Sequence, residues 1–399
     1  MSISTLSFQT TAADQMTALE QALSKTQAQL STGITLQSAA DNPVGMTQVN
    51  QLNTELSASK QYVANGTLAS TNLQLEAQAL TNATNILQSV SSLVVQGNNA
   101  ALSPSQRQDI ATQMQQQLQQ LIATANSQDS QGNYLFAGEA STTQPFAQNG
   151  TSVSYAGASG VNQVQISPEQ SISAGDTGSA VFMNLPAGNG TFTTAAAATN
   201  TGSASIGPGT VTDPSAWTPG TYTIAFTSSS QYHITNTAGT TVASGSYAVS
   251  AGGTFSIAFN GIQVSFSGTP AIGDHFTVAS AGTASVFSTV ASAISALSSS
   301  HLTAAQITTQ LNTVGEQLTG ALNTLDQVQA SVGARINAVS TAQSSAQTQQ
   351  TDYQASISKL SDTNYAAATT QLSTEELALQ AAQASYASME SLSLFKYVS

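Results

Sequence analysis

MTALEQALSKTQAQL, residues Met16–Leu30, places apolar side chains at Met16, Leu19, Leu23 and Leu30, with Thr26 at the remaining step. Intervals of three and four residues mark a helix that packs lengthwise on another helix. The spacing returns near the other end of the chain at Leu311, Val314, Leu318, Ala321, Leu325, Val328, Val332 and Val339. Between these seams lies a Gly-, Thr- and Ser-rich stretch with strand-like alternation. Helical seams at both ends of such a middle predict a chain whose termini pair while its centre projects. A chain of this kind is built to assemble with other chains.

The first helix is expected from about Thr11 to Leu30, stopped by Gly33. A loop follows at Ser38-Ala39-Ala40-Asp41-Asn42-Pro43, where Asn42 caps the next helix and Pro43 opens it. That helix runs to about Val95, and Leu73, Leu80, Leu87 and Val94 recur in it every seventh residue. Gly97-Asn98-Asn99 interrupts, and Ser103-Pro104-Ser105-Gln106 restarts a helix in the pattern of a capping box. Tyr134–Gly138 is expected as a short strand closed by glycine.

From about Phe146 to Val286 the helical period disappears. Thr221–Phe226, Phe255–Phe259, Ile262–Phe266 and Phe276–Val278 alternate instead, separated by turn residues, which predicts a small antiparallel sandwich or barrel. Asn260-Gly261 between two such runs is a hairpin turn. Leu185–Gly207, rich in Ala, Thr and Gly, is read as a linker, leaving a sandwich module over about 204–280. Helix returns after Val286, breaks around Ser298–Leu302 and continues nearly to the C-terminus. The fold class is therefore α+β and multidomain. N- and C-terminal helices pair into a coiled-coil or rod bundle around central antiparallel β domains of sandwich type.

A chain of 399 residues is too long for one compact core and implies about two to four domains. Only 6% of its residues are charged, against roughly a quarter in typical globular proteins. Six Lys/Arg against nineteen Asp/Glu give a net charge of -13, which leaves no electrostatic footprint for nucleic acid or an anionic membrane. Neither partner is expected. The absence of cysteine excludes disulfides and thiolate chemistry. Met1–Asp14 lacks the basic start and apolar core of a cleavable signal peptide, and no run of about 18 apolar residues is present to span a bilayer. The chain is then cytoplasmic, or leaves by a route that reads no such signal.

Little in the sequence points to catalysis. A zinc site on His233, His275 and His301 would need at least one more good ligand, Asp274 being the obvious candidate, and the three read as surface or strand-edge residues. Gly157-Ala158-Ser159-Gly160 falls one residue short of a nucleophile elbow. Glu375-Glu376 reads as a solvated helix face, and Trp217, the only tryptophan, as a plug in the sandwich core. No enzyme activity, catalytic residue, metal or cofactor is expected.

The helical stripes carry the expectation of function. Leu73, Leu80 and Leu87, with Leu318, Leu325 and Val332, read as an ordinary rod core. The terminal helices have few charges and abundant Ala and Gln on their outer faces, which suits packing on several sides at once. Met16, Leu19, Leu23 and Leu30 with Leu372, Leu377, Leu379, Met389, Leu392, Leu394 and Phe395 are accordingly expected to form an assembly interface. Asp41, Asn42 and Pro43 are expected to set the joint between domains.

Several motifs carry a family resemblance. Leu30-Ser-Thr-Gly33 followed by Ser38-Ala-Ala-Asp41-Asn-Pro43 closely resembles the start of the flagellin superfamily. Gly132-Asn-Tyr-Leu-Phe-Ala-Gly138 with Thr143-Gln-Pro-Phe146 is similar to its hook-associated FlgL branch, a stretch that bacterial flagellins generally lack. The ending Ala381-Ala-Gln-Ala-Ser-Tyr386 with Ser391-Leu-Ser-Leu-Phe395 resembles that branch too. The likeness covers about 1–185 and 284–399.

The resemblance implies a structural protein of the hook-filament junction, exported unfolded through the flagellar type III apparatus. Residues 1–40 with 352–399 would form a coiled-coil inner domain, 41–145 with 284–351 a helical rod, and 146–283 an outer β region. Subunits would form a ring above the junction protein FlgK and below flagellin. The export chaperone FlgN would hold the C-terminal helix. The module of about 204–280 is larger than in compact members of the branch. A flagellin, or an adhesin using the outer module, is the alternative.

Overall fold

The computed structural model describes the backbone of residues 2–398 and the side-chain surroundings of residue 7 and residues 9–388. The chain divides into two compact units, residues 65–342 and residues 1–64 with 343–399.

The larger unit is built on four helical segments. They are the C-terminal part of α2 (Pro43–Gly97), α3 (Pro104–Ala125), α4 (Val286–Ser298) and the N-terminal part of α5 (Ala304–Ser361). The heptad leucines of α2 face inward: Leu73, Leu80 and Leu87 are fully buried. They share one core with Met114, Leu118 and Leu121 of α3, Phe287, Val290 and Ala293 of α4, and Leu311, Leu318, Leu325 and Val332 of α5. Burial of a leucine of this kind is worth about 1.5–3 kcal/mol, so these periodic positions dominate the energetics of the bundle. Ser103 and Gln106 close the expected capping box, each side chain accepting the other's backbone N–H at the start of α3.

Two hairpins, β1–β2 (Phe146–Asn149, Ser152–Tyr155) and β3–β4 (Gln163–Ser167, Gln170–Ser173), lie in the same unit. Tyr134–Gly138 is not the short strand expected. Its backbone groups go to four separate segments. The Tyr134 and Leu135 amides donate to Ser141 and Ser127, and the Phe136 and Ala137 carbonyls accept from Gly178 and Ala158. A strand needs one neighbour; this segment is a hub. Gly138, with φ +62°, brings the chain so close that a Cβ would lie 2.4 Å from the Gly160 carbonyl. Phe136 delivers its ring to a cluster with Phe182, which in turn meets Phe146 and Phe287.

The β module stacks two antiparallel sheets. One has the order β11-β10-β9-β14-β6, from Thr241–Ser246, Gln231–Asn236, Thr221–Phe226, His275–Ser280 and Phe192–Ala196. The other has the order β12-β13-β7, from Thr254–Phe259, Ile262–Ser267 and Ser205–Ile206, with β8 (Thr210–Val211) also on β13. Strict alternation puts Phe255, Ile257 and Phe259 opposite Phe266, Val264 and Ile262, all inward. Asn260 and Gly261 take φ +46° and +73°, the two positive values that a tight hairpin of this hand requires.

The linker expected over 185–207 is instead part of the architecture. Leu185–Pro186 forms β5, paired with β15 (Thr283–Ala284), and β6 and β7 lie in the two sheets. Its low hydrophobicity has a simple cause: β6 is an edge strand that sends only Phe192 and Thr194 fully inward. Trp217 is half-buried rather than a central plug, its ring between Phe192 and Tyr222 at 5.6 and 5.8 Å. His233 and His275 both stand opposite Ala225 of β9, one from each side, on the face of that sheet away from the core.

In the smaller unit α1 (Ser2–Thr32) packs on α6 (Tyr365–Val398). The helix expected to continue nearly to the C-terminus breaks at 362–364, between α5 and α6.

Candidate functional site

The polar joint of the smaller unit starts at the end of α1. Gly33, at φ +71°, ends the helix with its amide on the Gln29 carbonyl, and a Cβ there would meet the Tyr365 hydroxyl at 3.0 Å. The chain then runs antiparallel to the break between α5 and α6. Thr35 donates its amide to the Ser361 carbonyl at 2.7 Å, and Thr363 donates to the Gly33 carbonyl at 2.9 Å. The Thr35 hydroxyl reaches the Asp362 carbonyl and the Thr363 hydroxyl, and the Thr363 hydroxyl bonds the Gln29 carbonyl. These bonds tie the N-terminal helix to the C-terminal one at the base of both.

Asp41 organises the loop that follows. One carboxylate oxygen accepts the amides of Gln37 and Ser38 and the Ser38 hydroxyl; the other pairs with Lys25 of α1 at 2.6 Å. The Lys25 ammonium, helped by Ser38, holds the Asp41 carboxyl below its usual range, at about 2. Asn42 caps α2, accepting the Gly45 amide at 3.0 Å, and Pro43 supplies the first helical residue. Gly45 is small for a reason: a Cβ would fall 2.8 Å from the Asn42 amide nitrogen that this cap positions.

Above this joint the seam is incomplete. Met16, Leu19, Leu23 and Leu30 of α1, and Leu372 and Leu379 of α6, are only half-buried, while Thr26 is closed off from solvent. Leu377 is 68% exposed. Two helices alone therefore leave these apolar side chains partly in water. Met389, Leu392, Leu394 and Phe395 lie outside the residues whose side chains are described. Leu73, Leu80, Leu87, Leu318, Leu325 and Val332 belong to the core of the larger unit, apart from this seam.

Sequence reasoning singled out Asp41, Asn42 and Pro43 but missed their surroundings. Thr35, Ser361 and Thr363 carry no periodic signal. Asp362-Thr363-Asn364, three residues that favour turns and caps inside a long helical pattern, was the mark that reveals the second break. Among the described residues no group of His, Asp and Glu is arranged to hold a metal ion, and no helix is long and apolar enough to cross a membrane.

Residues 3–141 match the bacterial flagellin N-terminal helical region, and residues 195–280 match the D2-like domain of flagellar hook-associated protein 1. Flagellar hook-associated protein 3 of Salmonella typhimurium is 31% identical over 157 residues, 39% of this chain and 49% of the relative. The chain thus spans about half the length of the curated relatives it matches. The crystal structure of flagellar hook associated protein-3 from Legionella pneumophila superposes with a TM-score of 0.73 at 30% identity, covering 78% of this chain and 98% of that one. That of the flagellar junction protein FlgL from Legionella pneumophila gives 0.69 at 29% identity, over 79% and 100%.

Proposed function

The chain belongs to the FlgL family of flagellar hook-associated proteins, and from that premise we propose that it joins hook to filament in a bacterial flagellum. The observation that carries the mechanism is the incomplete seam of α1 and α6. Met16, Leu19, Leu23, Leu30, Leu372 and Leu379 half-bury within one chain and bury fully only against neighbouring subunits. Burial of apolar area supplies the affinity, and the seam positions themselves carry no charge, which keeps the desolvation cost of packing low. Subunits of this kind form a ring, with FlgK on one side and the first flagellin subunits on the other.

The joint at Asp41–Pro43 and Ser361–Thr363 fixes the direction in which α1 and α6 leave the adjoining ends of α2 and α5. The protein acts by shape and performs no catalysis. It works outside the cell, at the flagellum, with FlgN guarding the C-terminal helix before export. Its 195–280 module, similar to a domain of hook-associated protein 1, faces outward and is dispensable for the ring.

Deletion of the gene, followed by electron microscopy of the cells and assay of flagellin in the medium, tests this role. Hooks without filaments, with flagellin monomers in the medium, are expected. Normal filaments would overturn the proposal. Bare hooks with no flagellin in the medium would make this chain the filament subunit instead.

A further inference from the structure

Glu76 sits on α2 in the larger unit with 1% of its surface exposed. One oxygen accepts the Asp176 amide at 3.1 Å; the other, Oε2, is buried and has no hydrogen-bond partner. Beside it the Asp176 carboxylate pairs with the Arg335 guanidinium of α5. Arg335 also donates to the carbonyls of Ser173 and Gly175 at 3.2 and 3.3 Å, while its Nε is buried and unpartnered. Three elements therefore meet at one polar knot: α2, the segment after β4, and α5. The segment they hold leads directly into the helical turn Ser179–Met183, whose Phe182 enters the aromatic cluster.

Two carboxyls face one cation here. With Glu76 protonated, the knot contains one anion and one cation and is neutral. With Glu76 ionised, it carries an unbalanced negative charge, and the Glu76 side chain that bears it is closed off from solvent. Burial and the neighbouring Asp176 both oppose ionisation, outweighing Arg335, and push the Glu76 carboxyl up to about 8. Asp129 and Tyr134 line the adjoining cavity of about 270 Å³. Asp129 is engaged by the amides of Gln131 and Asn133.

We propose that Glu76, Asp176 and Arg335 form a proton-operated latch: the protonated Glu76 carboxyl fastens residues 173–178 between α2 and α5, and loss of its proton frees that segment. The latch is a conformational device separate from the terminal helices, and it does not depend on what they assemble with. Its sign follows from linkage. The folded state holds the proton more tightly than the unfolded chain, so stability is full below the ordinary carboxyl range near 4.5 and is lost as pH rises through about 8.

Hydrogen exchange of the full-length protein tests this, comparing wild type with Glu76→Gln at each pH so that intrinsic exchange cancels. The glutamine reproduces the uncharged carboxyl and keeps the acceptor for the Asp176 amide. Amides of 174–178 are expected to exchange at least about tenfold faster in wild type than in the variant at about pH 9.5, and equally at about pH 4, below the ordinary carboxyl range, while α3 amides stay matched at both. An equal ratio at both values would overturn the latch, meaning that Arg335 turns its free Nε to Glu76 and holds the ionised knot together. Should Glu76→Gln fail to fold, the wild type alone still decides. An infrared band of a protonated carboxyl present at about pH 7 and lost by about pH 9.5, together with faster exchange at 174–178 than at α3, supports the latch. No such band at neutral pH refutes it.

Discussion

Asp41 holds the joint through backbone amides as well as through its ion pair. Lys25 is 54% exposed, and an exposed pair of this kind adds little to stability. The amides of Gln37 and Ser38 have no helical partners after α1 ends, and the carboxylate satisfies both. Because the folded carboxyl is held near 2, its contribution is fully present above about pH 4 and fades as pH falls toward 2. Asp41→Asn is therefore expected to remove an acid-sensitive step from the unfolding of the terminal helices. Circular dichroism melts of both proteins across that window check it, and identical pH profiles would show that the loop does not need the charge.

The elements answer to different forces, and single substitutions separate them. In the helical bundle the stabilising quantity is filled volume around the heptad leucines. Leu80→Ala leaves a cavity at a fully buried position and is expected to cost about 2–5 kcal/mol, measured as a shift of the helical unfolding transition. In the β module the sensitive quantity is backbone conformation. Gly261→Ala forces a side chain into φ +73° and sets its Cβ 2.1 Å from the Asp213 carbonyl. A loss of about 1–3 kcal/mol is expected. Trp217 is the only tryptophan and stands in that module, so its fluorescence reports directly on the module's surroundings. A Gly261→Ala protein whose tryptophan transition is unmoved would show that the Asn260–Gly261 turn is not what holds β12 to β13.

At the scale of the whole chain, the proposed function assigns ring assembly to the terminal helices and not to the β module. Removing the last ~30 residues takes most of α6, and with it one half of the apolar seam, so ring assembly is expected to fail while the tryptophan transition stays intact. Analytical ultracentrifugation and fluorescence melting of the truncated protein decide this, and a truncated chain that still assembled would remove α6 from the interface.

Much of the architecture was legible because its signals are local. A heptad, a capping box, an Asn-Gly turn and a Pro after a cap each lie within a few residues, and each forms where it was read: Leu73 to Leu87, Ser103–Gln106, Asn260–Gly261 and Asn42–Pro43. The motifs at both ends were enough for the family. What escaped the sequence depends on partners far along the chain. Thr35 meets Asp362 across 327 positions, Asp176 meets Glu76 across 100 and Arg335 across 159, and no local pattern records such pairs. Tyr134–Gly138 looks like a strand by composition, yet its backbone bonds are drawn to four separate segments. Leu185–Gly207 looks like a linker because an edge strand needs few apolar residues to hold its place. Nothing in the sequence around Glu76 marks it as buried, because the cost of a charge depends on what the fold places around it and not on its neighbours in sequence.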